Sequence, residues 1–250
     1  MKGTMSFSAR VGLFLAAIGL AIITTSASAV QYTYTFEGET GGGLLMGIQT
    51  SGGGADDLVG QFIMTTSSPG GQSPLYTYCT DVGADLATIH NYTPMSLSSA
   101  ASVGGVDPTW ISGGIQNAAA LWYANAASAV TVDQQAGLQL AIWEALYNNQ
   151  ATYTSASFFD SSNGGFYITS PDTGNIGAAA SYAATLLNSD PSAAPDVTWL
   201  APVYPDGSIG GSQGLLCASP TSVPEATSTL MLLGAALTAL GFAGRKLRAK

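Results

Sequence analysis

The chain has 250 residues, of which 46% are hydrophobic and only 8% are charged, and its net charge is −9. This composition excludes a charge-driven disordered chain, and two cysteines, Cys79 and Cys217, are too few for a small disulfide scaffold. No Lys or Arg lies between Val11 and Gly244, so the body has no cation to hold a phosphate backbone and nucleic acid is excluded as a partner.

The first segment has the pattern of a secretory signal. Lys2 and Arg10 precede an apolar stretch at 11–23, and small residues at 26–29 follow it. A basic start, a short apolar segment and an alanine-flanked site are typical of a cleaved signal peptide. We therefore predict a signal peptide at 1–29 and an extracytoplasmic body at 30–222. Export also implies an oxidising compartment, in which a disulfide can form.

The body opens with strand patterns. Alternating or apolar runs bounded by glycine and serine predict strands at 31–37, 44–50, 58–66 and 75–80. The last of these carries Cys79. The turns between them are predicted at the glycine-rich stretches 41–43 and 51–54 and in the loop 67–73.

Helical patterns fill the middle of the chain. Asp107-Pro108 predicts a helix start before 110–127, and Thr131 with Gln134 predicts a capping box that opens an amphipathic helix ending near Asn148. A third helix is predicted from Asn175 to before Pro191. The runs 197–203 and 214–218 read as closing strands. Strands, then helices, then strands predict an α+β fold with antiparallel β layers and a segregated lobe of about three helices.

The C-terminal tail predicts a second membrane element. Residues 226–244 are 19 uncharged residues, which as a helix would span about 28 Å. We expect one transmembrane helix there, with the body outside the cytoplasm because the cations follow the helix. The basic end at 245–250 contains Arg245, Lys246, Arg248 and Lys250.

The tail resembles a known sorting signal. Val223-Pro224-Glu225, the apolar span and the basic end together look like the PEP-CTERM tail of exported Gram-negative proteins, although Ala226 stands where that family usually has proline. The resemblance implies a sorting tail at 223–250 and an exosortase-type enzyme as a partner. It also implies an extracellular polysaccharide matrix as the setting, with transient anchoring in the inner membrane.

The usual catalytic and metal-binding patterns are missing from the sequence. One histidine, His90, and two distant cysteines cannot make a zinc site, and no glycine-rich loop has the spacing for a nucleotide. The carboxylates Asp81 and Asp85, or Asp56-Asp57, leave a glycan-active enzyme open as a weaker alternative. We therefore predict no enzyme, no cofactor and no metal.

Two motifs carry a second resemblance. Tyr78-Cys79-Thr80-Asp81 ends a predicted strand, and Leu138-Gln139-Leu140-Ala141-Ile142-Trp143 lies in the best predicted helix. Together they resemble the bacterial thioester domain of surface adhesins. The resemblance implies that the Cys79 sulfur and the Gln139 acyl group form an internal thioester. Its implied surroundings are Tyr76, Tyr78, Asp81, Trp143 and Tyr147.

Two functions remain open at this stage. The first is a surface- or matrix-associated adhesion protein that attaches covalently to amine-bearing targets through the Cys79–Gln139 thioester. The second is a non-covalent structural protein of the biofilm matrix in which Cys79 and Cys217 form a disulfide. Without a thioester, Gln139 would be a boundary residue of a core helix and Cys79 a small buried apolar residue.

Overall fold

The computed structural model describes residues 31–40, 43–50, 53–82, 84–104, 110–148, 152–161, 165–171, 176–189 and 196–219. The predicted signal peptide at 1–29 and the predicted sorting tail at 223–250 lie outside these residues.

The described residues form nine strands and four α-helices. The strands are β1 (Tyr32–Glu39), β2 (Leu44–Thr50), β3 (Gly53–Val59), β4 (Phe62–Thr65), β5 (Leu75–Cys79), β6 (Ile89–Met95), β7 (Phe166–Pro171), β8 (Val197–Val203) and β9 (Leu215–Ala218). The helices are α1 (Leu97–Val103), α2 (Gly114–Asn125), α3 (Val132–Tyr147) and α4 (Ile176–Leu187), with a 3₁₀ turn at Ser155–Phe159.

Six of the strands close into a barrel. Its order is β1-β4-β5-β9-β8-β6, and every neighbouring pair is antiparallel. Directly paired residues point to the same side of a sheet, so the register defines one set of side chains inside the barrel. That set includes Tyr34, Met64, Leu75, Cys79 and Leu215, all of which are buried. The other sheet has three strands in the order β3-β2-β7.

The helices cover the outside of part of the barrel. Helices α1 and α2 pack on β8, α2 also packs on β9, and α3 packs on β5 and on the three-stranded sheet. Helix α4 packs on α3, where Gly137 permits a close approach because a Cβ there would lie 2.6 Å from the Ala179 carbonyl oxygen. Helix α3 is buried along nearly its whole length, so it is the central element between barrel, sheet and helices.

The predicted fold class is wrong in its arrangement. The sequence predicted antiparallel β layers with a segregated lobe of about three helices, whereas the described residues form a closed barrel, a three-stranded sheet and four α-helices. The missed strand β6 joins β1 to β8 and closes the sheet. The sequence analysis predicted no strand for this segment, which contains His90 and Pro94, and in the closed barrel it pairs with neighbours on both sides. The missed helix α1 is short and rich in Ser and Ala.

The predicted fold class also included one transmembrane helix. Among the residues that the structure describes, none of the helices combines the length and the apolar character needed to cross a bilayer. The longest, α3, has 16 residues and carries Gln135, Gln139 and Glu144 on buried positions. The transmembrane helix predicted at 226–244 falls outside the described residues.

Several element predictions agree with the structure. The strand ending at Cys79, the capped helix from Thr131, and the closing strands are confirmed. The strand predicted at 58–66 is split between β3 and β4. The helix predicted at 110–127 begins only at Gly114, after Gly113 adopts a positive φ of 80° as its N-cap.

Candidate thioester site

The side chain of Gln139 forms two hydrogen bonds with the backbone of Cys79. The Cys79 N–H donates to Gln139 Oε1 at 2.8 Å, and Gln139 Nε2 donates back to the Cys79 carbonyl oxygen at 2.7 Å. Cys79 is the last residue of β5, and Gln139 lies in the middle of α3. Two hydrogen bonds from one planar amide to one residue fix the orientation of the carboxamide beside the backbone of the residue that carries the sulfur.

The pair forms where a strand ladder ends. Thr80 N–H donates to the Gly214 carbonyl oxygen, so the polar backbone groups of Cys79 face the opposite neighbour, β4. The β4–β5 register pairs Phe62 with Thr77 and stops there, because β4 begins at Phe62. Two residues further along β5, the Gln139 amide takes the place that the backbone of β4 would have had. A side chain of α3 therefore completes the ladder.

A second side chain of α3 holds the residues that follow Cys79. The Tyr147 hydroxyl donates to the Thr80 carbonyl oxygen at 3.2 Å and accepts from the Val82 N–H at 3.3 Å. Tyr147 is eight residues after Gln139, which places both on one face of the helix. The segment from Cys79 to Val82 is thus bound to α3 at two points.

Asp81 supports the same strand end from the other side. Its Oδ2 accepts from the Gly214 N–H at 2.8 Å and from the Thr80 hydroxyl at 3.0 Å, and Trp199 Nε1 donates to that hydroxyl at 3.1 Å. A side chain at Gly214 would collide with this group, since its Cβ would lie 2.8 Å from Asp81 Oδ2. The Asp81 carboxylate therefore links the segment that follows β5 to Gly214, the residue before β9.

Both halves of the candidate bond are shielded from water. Gln139 is 0% and Cys79 is 1% exposed. The Cys79 side chain points into the barrel, as the register with Leu215 requires. Tyr92 also lies inside the barrel; burial raises the pKa of its hydroxyl, and electrostatic interactions with Cys79 and Asp81 add to that rise. The sulfur therefore lies in the same buried interior as the uncharged Tyr92 phenol.

Cys217 lies on the next strand, also inside the barrel. Its neighbour on β8 is Thr198, whose carbonyl oxygen lies 3.8 Å from the Cys217 sulfur, and burial raises the pKa of the thiol to about 12. No disulfide joins Cys79 and Cys217, both of which are described. Cys79 pairs directly with Leu215, so Cys217 is its diagonal neighbour at a typical distance of about 7–8 Å. Disulfides need Cα atoms closer than about 6.8 Å.

The other predicted surroundings divide into buried and exposed residues. Tyr78 is buried on the outer face of the barrel, and burial raises the pKa of its hydroxyl. Trp143 is buried and packs against Phe166 of β7, with ring centroids 5.9 Å apart. Tyr76 is 45% exposed and lies on the surface. The tail residues Val223, Pro224, Glu225, Arg245, Lys246, Arg248 and Lys250 lie outside the described residues.

Some residues of the site carried no recognised signal in the sequence. Gly214 and Trp199 complete the network around Asp81 and its neighbour Thr80, and long-range folding alone brings them to this strand end. Gln135 lies one helical turn before Gln139, and that spacing could have indicated it. Within the described part of the chain, no group of three or more His, Cys, Asp or Glu side chains could hold a metal ion.

Comparisons with protein-family models, with curated proteins and with solved structures found no match to this chain.

Proposed function

We propose that the protein is an exported adhesion or matrix-binding protein that attaches covalently to its target through a thioester between Cys79 and Gln139. The observation that carries the proposal is the pair of hydrogen bonds, 2.8 and 2.7 Å long, between the Gln139 carboxamide and the Cys79 backbone. They hold the acyl carbon beside the residue that supplies the sulfur, which is the positioning that an intramolecular reaction needs.

The same contacts fit the chemistry of bond formation. The Cys79 sulfur attacks the carboxamide carbon of Gln139, and negative charge develops on Oε1. The Cys79 N–H already points at Oε1 and stabilises that charge. The C–N bond then breaks, Nε2 leaves as ammonia, and the thiol proton leaves with it. The products are one acyl–sulfur bond and one ammonia, and no further reactant is required.

Burial supports the survival of such a bond. A thioester hydrolyses where water reaches it, and the two residues here are almost completely enclosed. Residues 30–222 also contain no lysine. A nucleophile from another molecule then attacks the acyl carbon of Gln139, forms a bond to it and releases the Cys79 thiol. Copies of the body cannot cross-link to one another through lysine, because the body has none.

Export and sorting belong to the same proposal. The signal pattern at 1–29 supports export, and the Val223-Pro224-Glu225 tail supports processing by an exosortase-type enzyme. The acidic body, which carries no Lys or Arg, suits a soluble surface or matrix protein and argues against anionic polymers as ligands. Amine-bearing surfaces and the extracellular polysaccharide matrix are the candidate targets.

A second candidate is a non-covalent structural matrix protein. The observation that favours it is the ladder end: the Gln139 amide satisfies two backbone groups of Cys79 that β4 leaves open. A glutamine could serve that purpose with its amide intact. The disulfide between Cys79 and Cys217 that this candidate included is disfavoured by their diagonal register.

Intact mass separates the candidates. The full chain, purified as the producing cell exports it, should be lighter by one ammonia than its sequence requires if the thioester is present. Treatment with methylamine should then add one methylamine at Gln139 and make one thiol titratable at Cys79. A wild-type mass without the ammonia loss, with an intact Gln139 amide on peptide mapping, contradicts the thioester.

The two cysteines provide a matched pair of variants. Cys79→Ala should remove both the ammonia loss and the methylamine adduct. Cys217→Ala removes a thiol from an equally buried position in the same barrel and should retain both. An adduct that persists in Cys79→Ala, or disappears in Cys217→Ala, would assign the reactivity to a different group.

A further inference from the structure

A cavity of about 500 Å³ lies between the barrel and the connection from α2 to α3. Its walls come from β5 and the end of β9, from the residue before β4, and from the end of α2, its connection to α3 and the first turn of α3. The side chains that matter for its chemistry are Gln61, Gln72, Tyr76, Trp122 and Gln135. The volume is in the range of small-ligand sites.

The lining of this cavity is uncharged. In a body with many carboxylates, none of the twelve lining residues is Asp, Glu or His. An ammonium or guanidinium group entering the cavity would find no counter-charge, and an anion would find no cation. The chemistry therefore selects a neutral ligand.

The cavity combines aromatic rings with amides that can bind. Gln135 is only 4% exposed, yet its side-chain amide makes no hydrogen bond to any residue in the described ranges. Each amide offers donors and acceptors, and aromatic rings offer flat apolar faces. A purely apolar ligand would leave these polar groups unpaired at a cost in affinity.

An extended peptide fits this surface less well. Peptides that bind by main-chain hydrogen bonds add a strand to an open sheet edge. Here β4, β5 and β9 are consecutive strands of a closed barrel. The ring of a neutral sugar, in contrast, has C–H faces that stack on Tyr76 and Trp122 and hydroxyls that pair with glutamine amides.

We propose that this cavity binds a neutral saccharide. Gln135 is one turn before Gln139 on α3, and Gln61 directly precedes the strand whose ladder Gln139 completes. On the proposed function, a saccharide held there would bring the target to within one helical turn of Gln139. Saccharide binding itself does not depend on the thioester.

Titration calorimetry of the full chain with cello-, malto- and dextran oligosaccharides tests the proposal, with an oligogalacturonate as the anionic control. We expect saturable binding of at least one neutral oligomer and none of the anionic one. Tyr76→Ala should weaken binding by about tenfold or more, which corresponds to the loss of one aromatic contact. Gln135→Ala should weaken it as well, and loses no internal hydrogen bond.

Tyr123→Ala is the matched control, because Tyr123 is also 45% exposed but does not line the cavity. It should bind like the wild type. Cys79→Ala should also bind, which keeps this test separate from that of the thioester. The proposal is overturned if no neutral oligosaccharide saturates the protein, if the oligogalacturonate binds equally well, or if Tyr76→Ala and Gln135→Ala bind as tightly as Tyr123→Ala.

Discussion

Cys79 and Cys217 lie on neighbouring strands of one barrel, and both are buried inside it, yet their surroundings differ. Cys217 is within a continuous ladder, where its backbone is matched by Thr198 and its sulfur approaches a carbonyl oxygen. Cys79 is at a strand end, where its backbone is held by the side chain of Gln139. Burial alone makes a thiol inert. At Cys79 the ladder between β4 and β5 has ended, so the Gln139 carboxamide can bind the backbone groups that β4 leaves unpaired. This is the chemical difference between Cys79 and Cys217.

The largest effect is expected when the amide at the strand end is removed. Gln139→Ala leaves a buried N–H and a buried C=O of Cys79 without partners, at about 1–3 kcal/mol each, so we expect a loss of about 4 kcal/mol in the free energy of unfolding. Gln135→Ala, one turn away and without internal side-chain hydrogen bonds, should cost about 1 kcal/mol. Urea denaturation compares them. Equal costs would contradict a special role for Gln139 in the ladder.

Helix α3 also makes stability depend on pH, through Glu144. Burial raises the pKa of this carboxyl from about 4.5 to about 7, against a smaller opposing effect of a hydrogen bond with Asn148. The folded state therefore holds a proton that the unfolded state has already lost. Stability should fall as pH rises from 4.5 to 7, by about 3 kcal/mol in total, and change little from this group above pH 7.

The Glu144→Gln variant isolates that contribution. Its unfolding free energy should exceed that of the wild type increasingly between pH 4.5 and 7, because the amide cannot ionise. Urea midpoints measured at several pH values would show the difference. A constant difference across this range would mean that Glu144 does not titrate with a raised pKa.

The carboxylate that anchors the strand end should contribute less. Asp81→Ala removes the acceptor for Gly214 N–H and for the Thr80 hydroxyl, at an expected cost of about 2 kcal/mol. Asp85→Ala, four residues later on the exposed surface, should stay within about 0.5 kcal/mol of the wild type. Thermal or urea unfolding of the two variants gives the comparison, and similar values would argue that the network around Asp81 adds no stability.

The smallest expected effect on stability comes from the cysteines themselves. Replacing either buried thiol by alanine removes one sulfur atom from a packed interior, so we expect about 1 kcal/mol for Cys79→Ala and for Cys217→Ala alike. Compared with wild-type protein whose thioester has been opened by methylamine, the two costs should match. Compared with untreated wild type, Cys79→Ala should cost more than Cys217→Ala, because it also removes the proposed covalent link between residues that are 60 positions apart. Equal costs in that second comparison would contradict the thioester.

Local patterns predicted those parts of the site that depend on neighbours along the chain. The alternation before Cys79 indicated a strand, and Thr131 with Gln134 indicated the helix start, which the structure forms as a capping box. The Tyr76 ring was grouped with the buried surroundings, but its alternate position on β5 turns it outward. Tyr78 and Tyr76 are both on β5, but Tyr78 is buried whereas Tyr76 is largely exposed. The sequence pattern alone did not distinguish these two environments.

The sequence by itself determined the absence of lysine and arginine from the body, the two motifs, and the strand and helix on which Cys79 and Gln139 lie. Only the tertiary structure decided that β6 closes the sheet into a barrel and that β4 begins too late to pair with Cys79. It also decided that Asp81 meets Gly214, which is 133 residues away. These features depend on which strands become neighbours and where each ladder stops, and hydrogen bonding between distant segments sets both.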